Sequence, residues 1–201
     1  MILYISAASP FVRKCRIVAR EHGFMLDEVP VDPYADDPAI VAANPLVQVP
    51  ALIAEDGLAI TNSPLICEYL DARGAGPRLL PDTGPERLSV RRAETLADGL
   101  LEAGVKLLLE TRRPEGERSP TWMARWRAAM VRSLDALEAC RSGPAEIDTA
   151  RLDLGTITTG VALSWLDFRH PSFDWKTGRP HLASLQAELE QRPSFVATVP
   201  R

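Results

Sequence analysis

Residues 44–71 constrain the fold of this chain more than any other stretch, because they combine two short strands with a tight turn. Ala51–Ile53 and residues 58–61 have the apolar composition of short strands. Asp56 and Gly57 lie between them, and both residue types tolerate the positive φ that a tight turn requires. We therefore predict a β-hairpin at the centre of this stretch.

A helix is predicted immediately after the hairpin, over residues 63–72. Ser63 stands where an N-cap is expected, and Pro64 suits the first helical position because a missing N–H costs nothing there. Apolar side chains then recur at helical spacing, at Leu65, Ile66, Tyr69 and Leu70. This spacing gives the predicted helix one buried face.

Two features of the same stretch indicate a ligand site. Pro50 opens a strand without an N–H to donate, and a cis Val49–Pro50 bond would turn the Val49 backbone outward. Asn62 and Ser63 place polar side chains beside the unpaired N–H groups of a helix N-terminus, a site that suits a carboxylate. A backbone edge together with a carboxylate site fits a small extended peptide.

The spacing from Val49-Pro50 to Asn62-Ser63 resembles the glutathione-binding half of a soluble glutathione S-transferase. The resemblance extends to the motifs at residues 9–14 and 192–195, so it covers essentially the whole chain. Through residues 9–14, 97–99 and 179–182 it is most similar to the bacterial, serine-type YibF-like members. Each motif alone is common in proteins, and it is their order and spacing that carry the resemblance.

This resemblance implies roles for several residues. Ser9 would stabilise the glutathione thiolate, the Val49 backbone would pair with glutathione, and Ser63 would receive the γ-glutamyl carboxylate. Further glutathione-binding residues implied by the family pattern are Phe11, Gln48, Pro50, Asn62 and Asp98. Asn62 and Gln48 depart from the family, which usually carries an acid at the first place and often a lysine at the second.

The position of Ser9 in the sequence also suggests a role in stabilising an anion. It follows the first predicted strand and precedes a helix whose N-terminal N–H groups would stabilise a nearby anion by roughly 0.3–1 kcal/mol. The residue types alone favour a plain N-cap, with Pro10 at the first helical position. The resemblance favours the thiolate role. A cysteine at this position would instead suggest disulfide chemistry.

Three alternative interpretations stay open at this stage. Tyr4 could supply the hydroxyl instead of Ser9, although its place within an apolar run is typical of a strand aromatic. Asp98 would reach the glutathione ammonium of a neighbouring subunit, or it is a solvated acid on a helix surface. Asn62 and Ser63 could simply cap a helix.

Composition excludes several classes of protein. The 201 residues are 46% apolar and 25% charged with a net charge of −4, which is ordinary for a globular protein and does not favour nucleic acid or an anionic membrane. The first residues lack the basic region of a signal peptide, and no apolar run reaches membrane-spanning length. Three separated cysteines suggest reduced thiols in a cytoplasm. The three histidines show no metal-binding spacing, so no metal is assigned.

The first part of the chain is predicted to follow a thioredoxin-like β-α-β-α-β-β-α order, within an α+β two-domain protein. Strands are expected at Ile2–Ile5 and residues 29–31, the latter at a sheet edge because of Pro30. Helices are expected from Pro10 to about residue 22, ended by Gly23, and at Pro38–Ala43. This glutathione-binding domain spans residues 1–74, with a linker at residues 75–85.

Residues 86–201 are predicted to form an all-helical domain. Helices are expected at residues 86–112, 120–140, 155–168 and 180–191, with a final short helix from Pro193. The second of these would end at Ser142-Gly143-Pro144 and would place an apolar stripe that includes Trp122 and Trp126 in the core. The helix at 155–168 is apolar all round, which is typical of a buried helix, and Thr156 is expected to cap it.

The resemblance implies a homodimeric glutathione transferase that serves in detoxification, and the reduced thiols expected from the composition place it in the cytoplasm. Its glutathione thiolate would attack a small, apolar, electrophilic co-substrate without a metal. The two-fold contact would be made by the third and fourth helices. The alternatives are a glutathione- or ligand-binding protein without turnover and an interaction module that uses the helical domain.

Overall fold

The computed structural model describes residues 1–141 and 152–200, and these form two compact units. The first unit comprises Met1–Leu80 and Arg192–Arg201, and the second comprises Pro81–Gln191. The predicted Ser142-Gly143-Pro144 helix stop lies outside the described residues. The sequence analysis assigned all of residues 86–201 to the helical domain, whereas the final segment belongs to the first unit.

A four-stranded mixed sheet forms the centre of the first unit. Its strands are β1 (Ile2–Ile5), β2 (Asp27–Pro30), β3 (Ala51–Ile53) and β4 (Ala59–Thr61), in the spatial order β2-β1-β3-β4. β1 pairs parallel with β2 and antiparallel with β3, which pairs antiparallel with β4. Both the hairpin and the edge position of the Pro30 strand are therefore confirmed.

Three helices, α1 (Pro10–Glu21), α2 (Pro38–Ala43) and α3 (Ser63–Arg73), complete the predicted β-α-β-α-β-β-α order. α1 packs against α3. Tyr4 and Ala51 pack with Ile40 of α2. The next residues along each strand, Leu3 and Leu52, are buried and point to the opposite face because side chains alternate along a strand. Helices thus cover both faces of the sheet.

Two local predictions in this unit are wrong. β2 begins at Asp27, not at residue 29, because its register with β1 pairs Asp27 with Ile2. Asn62, not Ser63, is the N-cap of α3, and Ser63 is already the first helical residue. Gly23 confirms the end of α1, because it has a φ of 73° and its N–H donates to the Arg20 carbonyl at 3.1 Å.

The C-terminal segment belongs to the first unit through contacts with α1. It contains the short helix α8 (Pro193–Val196), which packs against α1. Arg192 Nη2 lies 3.0 Å from Glu21 Oε2, and the Ser194 hydroxyl also donates to the Glu21 carboxylate. Arg13 Nη2 donates to the Phe195 carbonyl at 3.3 Å. These long-range bonds could not be inferred from local sequence patterns.

The described residues of the second unit form helices and connecting loops, with no strand among them. It contains α4 (Gly84–Arg112), α5 (Pro120–Arg141), α6 (Leu154–Arg169) and α7 (Pro180–Leu189), with a short 3-10 turn at Glu115–Glu117. Residues 154–166 of α6 are all buried, as predicted. α6 approaches α4 closely, because a Cβ on Gly155 would lie 2.8 Å from the Cβ of Ala93.

Two predictions in this unit need correction. Asp153 caps α6, because its Oδ1 accepts the Thr156 N–H at 2.7 Å, so Thr156 is the third helical residue and not the cap. Trp122 is 52% exposed and does not enter the core. Its indole stacks on that of Trp126, with ring centroids 5.8 Å apart, in the first turns of α5.

Candidate functional site

One edge of the sheet gathers the three segments that the sequence analysis selected. Tyr4 pairs with Ala51, and Ala51 pairs with Thr61, so these residues of β1, β3 and β4 lie side by side. β1 and β4 run in the same direction and β3 runs opposite to them. The chain therefore leaves β1 toward Ser9, enters β3 from Pro50 and leaves β4 into Asn62 at this one edge.

Ser9 caps α1 at this edge. Its backbone is extended, with φ −77° and ψ 122°, and its Oγ accepts the Val12 N–H at 3.3 Å, while Pro10 occupies the start of the helix. A hydroxyl oxygen can accept one hydrogen bond while its hydrogen is donated elsewhere. Capping and donation to an anion at the helix N-terminus are therefore compatible roles for the half-buried Ser9.

The Val49–Pro50 bond is cis, which confirms the prediction from the sequence. Pro50 is buried, whereas Val49 is half-buried and packs against the cluster formed by Ile40, Ala43 and Ala51. The side chain of Val49 is thus used for packing, and its backbone remains the part that a ligand could pair with.

Asn44 holds the loop before this bond, and the sequence analysis did not assign it a role. It is buried, and its Nδ2 donates to the Gln48 carbonyl at 2.8 Å. Its Oδ1 accepts the Leu46 N–H at 3.0 Å, and its backbone carbonyl accepts the Val47 N–H at 2.8 Å. Asparagine followed by proline favours such turns, so the Asn44-Pro45 dipeptide was the sequence signal that could have indicated this role.

The start of α3 presents Asn62 and Ser63. Asn62 is exposed, has a φ of 73° and makes no capping hydrogen bond with its side chain, so its amide is not engaged in holding the helix. Asparagine is among the non-glycine residues that best tolerate this left-handed region. Ser63 is buried, and its carbonyl accepts the Cys15 thiol at 3.8 Å. The first N–H groups of α3 complete a polar surface suited to a carboxylate.

The other residues expected at the site have mixed environments. Phe11 is half-buried in the first turn of α1, and Gln48 is exposed beside Val49. Asp98 is half-buried in α4, which belongs to the second unit. Tyr4 packs on the cluster of Ile40, Ala43 and Ala51, as an ordinary strand aromatic does.

A buried pair of ionisable groups, also missed from the sequence, joins the ends of α1 and α3. His22 Nε2 lies 2.9 Å from Asp71 Oδ1, with both side chains fully buried. Asp71 also accepts the N–H groups of Leu79 at 2.7 Å and Leu80 at 3.2 Å. The pair therefore holds together the C-terminal ends of α1 and α3, which lie away from the site. Through Leu79 and Leu80, Asp71 also holds the segment that follows α3.

None of the helices in residues 1–141 and 152–200 combines the length and apolar character needed to cross a bilayer. These ranges also contain no group of three or more His, Cys, Asp or Glu side chains placed to hold a metal ion.

Family models match both parts of the chain. The model described as "Glutathione S-transferase, N-terminal domain" matches residues 3–78, and the model described as "Glutathione S-transferase, C-terminal domain" matches residues 120–184. Among curated proteins, the "Uncharacterized GST-like protein YibF" of Escherichia coli is 38% identical over 201 residues, covering 100% of this chain and 98% of that protein.

Solved structures share the fold at substantial identity. A glutathione S-transferase from Methylobacillus flagellatus with glutathione bound is 34% identical, with a TM-score of 0.92, covering 100% of this chain and 99% of that one. A glutathione S-transferase from Methylobacterium radiotolerans in complex with glutathione sulfonate is 33% identical, with a TM-score of 0.91, covering 99% and 94%. The thioredoxin-like sheet followed by a helical unit is thus the fold of these transferases.

Proposed function

The chain belongs to the glutathione S-transferase superfamily as a YibF-like member, and we propose that it conjugates the glutathione thiolate to a small, apolar electrophile. The observation that carries this proposal is that β1 leads toward Ser9, β3 begins after Val49-Pro50 and β4 leads into Asn62-Ser63 at the same edge of the sheet. Relatives of the same fold, one solved with glutathione and one with glutathione sulfonate, support glutathione as the substrate.

In this proposal Ser9 acts on the thiol. A free thiol has a pKa of about 8.5, so most of it is protonated at neutral pH. A hydrogen bond from the Ser9 hydroxyl to sulfur and the N-terminus of α1 both favour the thiolate, which is the nucleophile. The thiolate then forms a bond to an electrophilic carbon of the co-substrate, and the electron pair leaves with the displaced group or moves onto the acceptor. Ser9 itself forms no covalent bond.

The remaining residues of the site would hold the peptide. The Val49 backbone would pair with the cysteinyl part of glutathione, next to Pro50. Ser63 and the first N–H groups of α3 would receive the γ-glutamyl carboxylate. Asn62 would approach the ammonium group, and we assign further contacts to Phe11, Gln48 and, from a neighbouring subunit, Asp98.

We propose that the working form is a homodimer. Each of the two helices expected at the two-fold contact exposes an apolar side chain that a partner could cover. Leu65 of α3 is 56% exposed, and Leu88 of α4 is 71% exposed. The three cysteines carry thiols, which suits a protein that works in the reducing cytoplasm.

A second candidate function is a glutathione- or ligand-binding protein without appreciable turnover. Asn62 and Gln48 favour it, because the family usually carries an acid at the position of Asn62 and often a lysine at that of Gln48. Uncharged groups form weaker hydrogen bonds to a charged ligand than charged groups do. The third candidate function is an interaction module that does not bind glutathione.

Two measurements on the purified chain separate these functions. Calorimetric titration with glutathione distinguishes the first two functions from the third, because only they require binding. Turnover with a chloronitroaromatic compound distinguishes the first from the second, because the leaving chloride reports attack by the thiolate. Binding with turnover supports the proposal, and the absence of binding at millimolar glutathione would overturn it.

A further inference from the structure

Two cysteines lie in contact inside the first unit, between α1 and α3. Cys15 and Cys67 are both fully buried, and their Sγ atoms are 3.8 Å apart. The Cys67 thiol donates to Cys15 Sγ, and the Cys15 thiol donates to the Ser63 carbonyl at 3.8 Å. The function proposed above uses neither thiol.

The position of this pair links it to the candidate site. Ser9 caps α1 six residues before Cys15, and Ser63 opens α3 four residues before Cys67, which is one helical turn. The two helices that carry the two serines are therefore the same two helices that the thiols join. The Cys15 thiol also contacts the start of α3 directly, through its hydrogen bond to the Ser63 carbonyl.

We propose that Cys15 and Cys67 form a redox pair that closes to a disulfide when a hydroperoxide oxidises the first unit. One thiol attacks the peroxide oxygen and becomes a sulfenic acid, and water is released from hydrogen peroxide. The second thiol attacks the sulfenic sulfur, the S–S bond forms, and a second water molecule leaves. Two thiols and one hydrogen peroxide thus give one disulfide and two waters.

Disulfide formation changes the contacts beneath Ser63. An S–S bond is about 2.05 Å long, so the sulfur atoms must approach from their separation of 3.8 Å. Both S–H donors are consumed, and the Ser63 carbonyl loses the hydrogen bond from Cys15. The start of α3 is displaced relative to α1, and glutathione binds more weakly. This last consequence rests on the proposed function, whereas the disulfide itself does not.

The burial of the pair limits the access of oxidants to both thiols. Both thiols have no exposed surface, so oxidation proceeds through local opening of the contact between α1 and α3 and is slow with bulky oxidants. The nearest sulfur to an oxidised Cys15 is that of Cys67, so the sulfenic acid is captured within the protein. Cys140, which is half-buried in α5 of the second unit, provides an internal comparison.

The test is peptide mapping of the full chain under non-reducing conditions after treatment with hydrogen peroxide. We expect a peptide pair linked through Cys15 and Cys67, lacking two hydrogen atoms and separated again by dithiothreitol. The same linkage is expected in Cys140→Ser and is impossible in Cys67→Ala. Finding Cys15 and Cys67 unmodified while Cys140 is oxidised, or finding linkages to Cys140 only, would overturn the proposal.

Calorimetry with glutathione tests the consequence. Oxidation should raise the Kd of the wild type and of Cys140→Ser by about tenfold, with recovery after reduction, and should leave Cys67→Ala unchanged. If Cys67→Ala does not fold, reversal by dithiothreitol in Cys140→Ser serves as the control. A linked pair without a change in Kd would contradict the coupling to Ser63. If the reduced chain does not bind glutathione, the proposed function fails, while the mapping still decides on the disulfide.

Discussion

Ser9 Oγ accepts the Val12 N–H at 3.3 Å, so the residue proposed to act on the thiolate is also the N-cap of α1. The sequence analysis set these two roles against each other. In the structure one hydroxyl can serve both, because its oxygen accepts from the helix while its hydrogen is available for donation. A substitution that removes the hydroxyl, such as Ser9→Ala, therefore changes stability and chemistry together, and the two effects have to be measured separately.

Because Ser9 caps α1, removing its hydroxyl should destabilise the protein. Ser9→Ala removes the acceptor for the Val12 N–H and should lower the free energy of unfolding by about 1 kcal/mol. Ser9→Thr and Ser9→Asp retain a capping oxygen and should remain close to the wild type. Urea unfolding of the four proteins checks this. Equal stability of Ser9→Ala and the wild type would show that the cap contributes nothing.

The buried carboxylate of Asp71 should be the most sensitive polar position of the first unit. Asp71→Ala leaves buried His22 and the N–H groups of Leu79 and Leu80 without their acceptor, and should cost about 3 kcal/mol. Arg78→Ala is the matched control, because its side chain is 41% exposed and its ion pair with Asp71 should contribute less than about 1 kcal/mol. Thermal unfolding that ranks the two variants equally would contradict this interpretation.

The Glu138 carboxyl should make the stability of the second unit depend on pH. Desolvation raises the pKa of this carboxyl, but hydrogen bonds from the Leu182 and His181 N–H groups and from the His181 ring outweigh it, and the pKa lies below the ordinary 4.5. A lowered pKa in the folded state stabilises the protein above that ordinary value, and this contribution disappears as the pH falls below it.

Glu138→Gln should therefore destabilise the protein at neutral pH and differ progressively less from the wild type toward about pH 3. Urea unfolding midpoints across that range are the measurement. Glu188→Gln, at an exposed carboxyl of α7 that accepts the Ser184 hydroxyl, controls for the loss of a charge. A constant difference between wild type and Glu138→Gln at every pH would refute the electrostatic explanation.

Asn62 offers a test of how glutathione is oriented. Asn62→Asp supplies the charge that the family usually has, keeps a residue that tolerates a φ of 73°, and should tighten glutathione binding by about two- to fivefold. The gain should shrink at high salt, because the group is exposed. Calorimetry with glutathione acetylated on its amine is the control, since the gain requires the ammonium. An equal gain with the acetylated peptide would count against this orientation.

Features that depend on local chemistry were predicted well. The bounds of α2 follow from Pro38 at its start and Asn44-Pro45 at its end, and the Asp56-Gly57 turn specifies the hairpin. The cis Val49–Pro50 bond also agrees with the sequence analysis. In these cases the residues that decide the structure are adjacent in the chain.

Two kinds of feature were missed: helix caps for which neighbouring residues compete, and contacts between residues that are distant in the chain. Asn62 becomes the cap of α3 at a positive φ, a backbone state that helix-start rules do not anticipate. Asp153 replaces Thr156 as the cap of α6, although either residue type suits an N-cap. The role of Asp71 exists only because His22 and Leu79 fold beside it, and no periodicity in α3 indicates those partners.

The central claim is that the Ser9 hydroxyl stabilises the thiolate of bound glutathione, and ultraviolet absorbance of that thiolate as a function of pH tests it most directly. A charge-assisted hydrogen bond contributes about 1.5–3 kcal/mol, and about 1.4 kcal/mol corresponds to one pH unit. The titration of Ser9→Ala with bound glutathione should therefore lie about one to two pH units above that of the wild type, while Ser9→Thr stays close to the wild type. Coincident curves for wild type and Ser9→Ala, measured with both proteins folded and saturated, would contradict the claim and leave Ser9 as a helix cap alone.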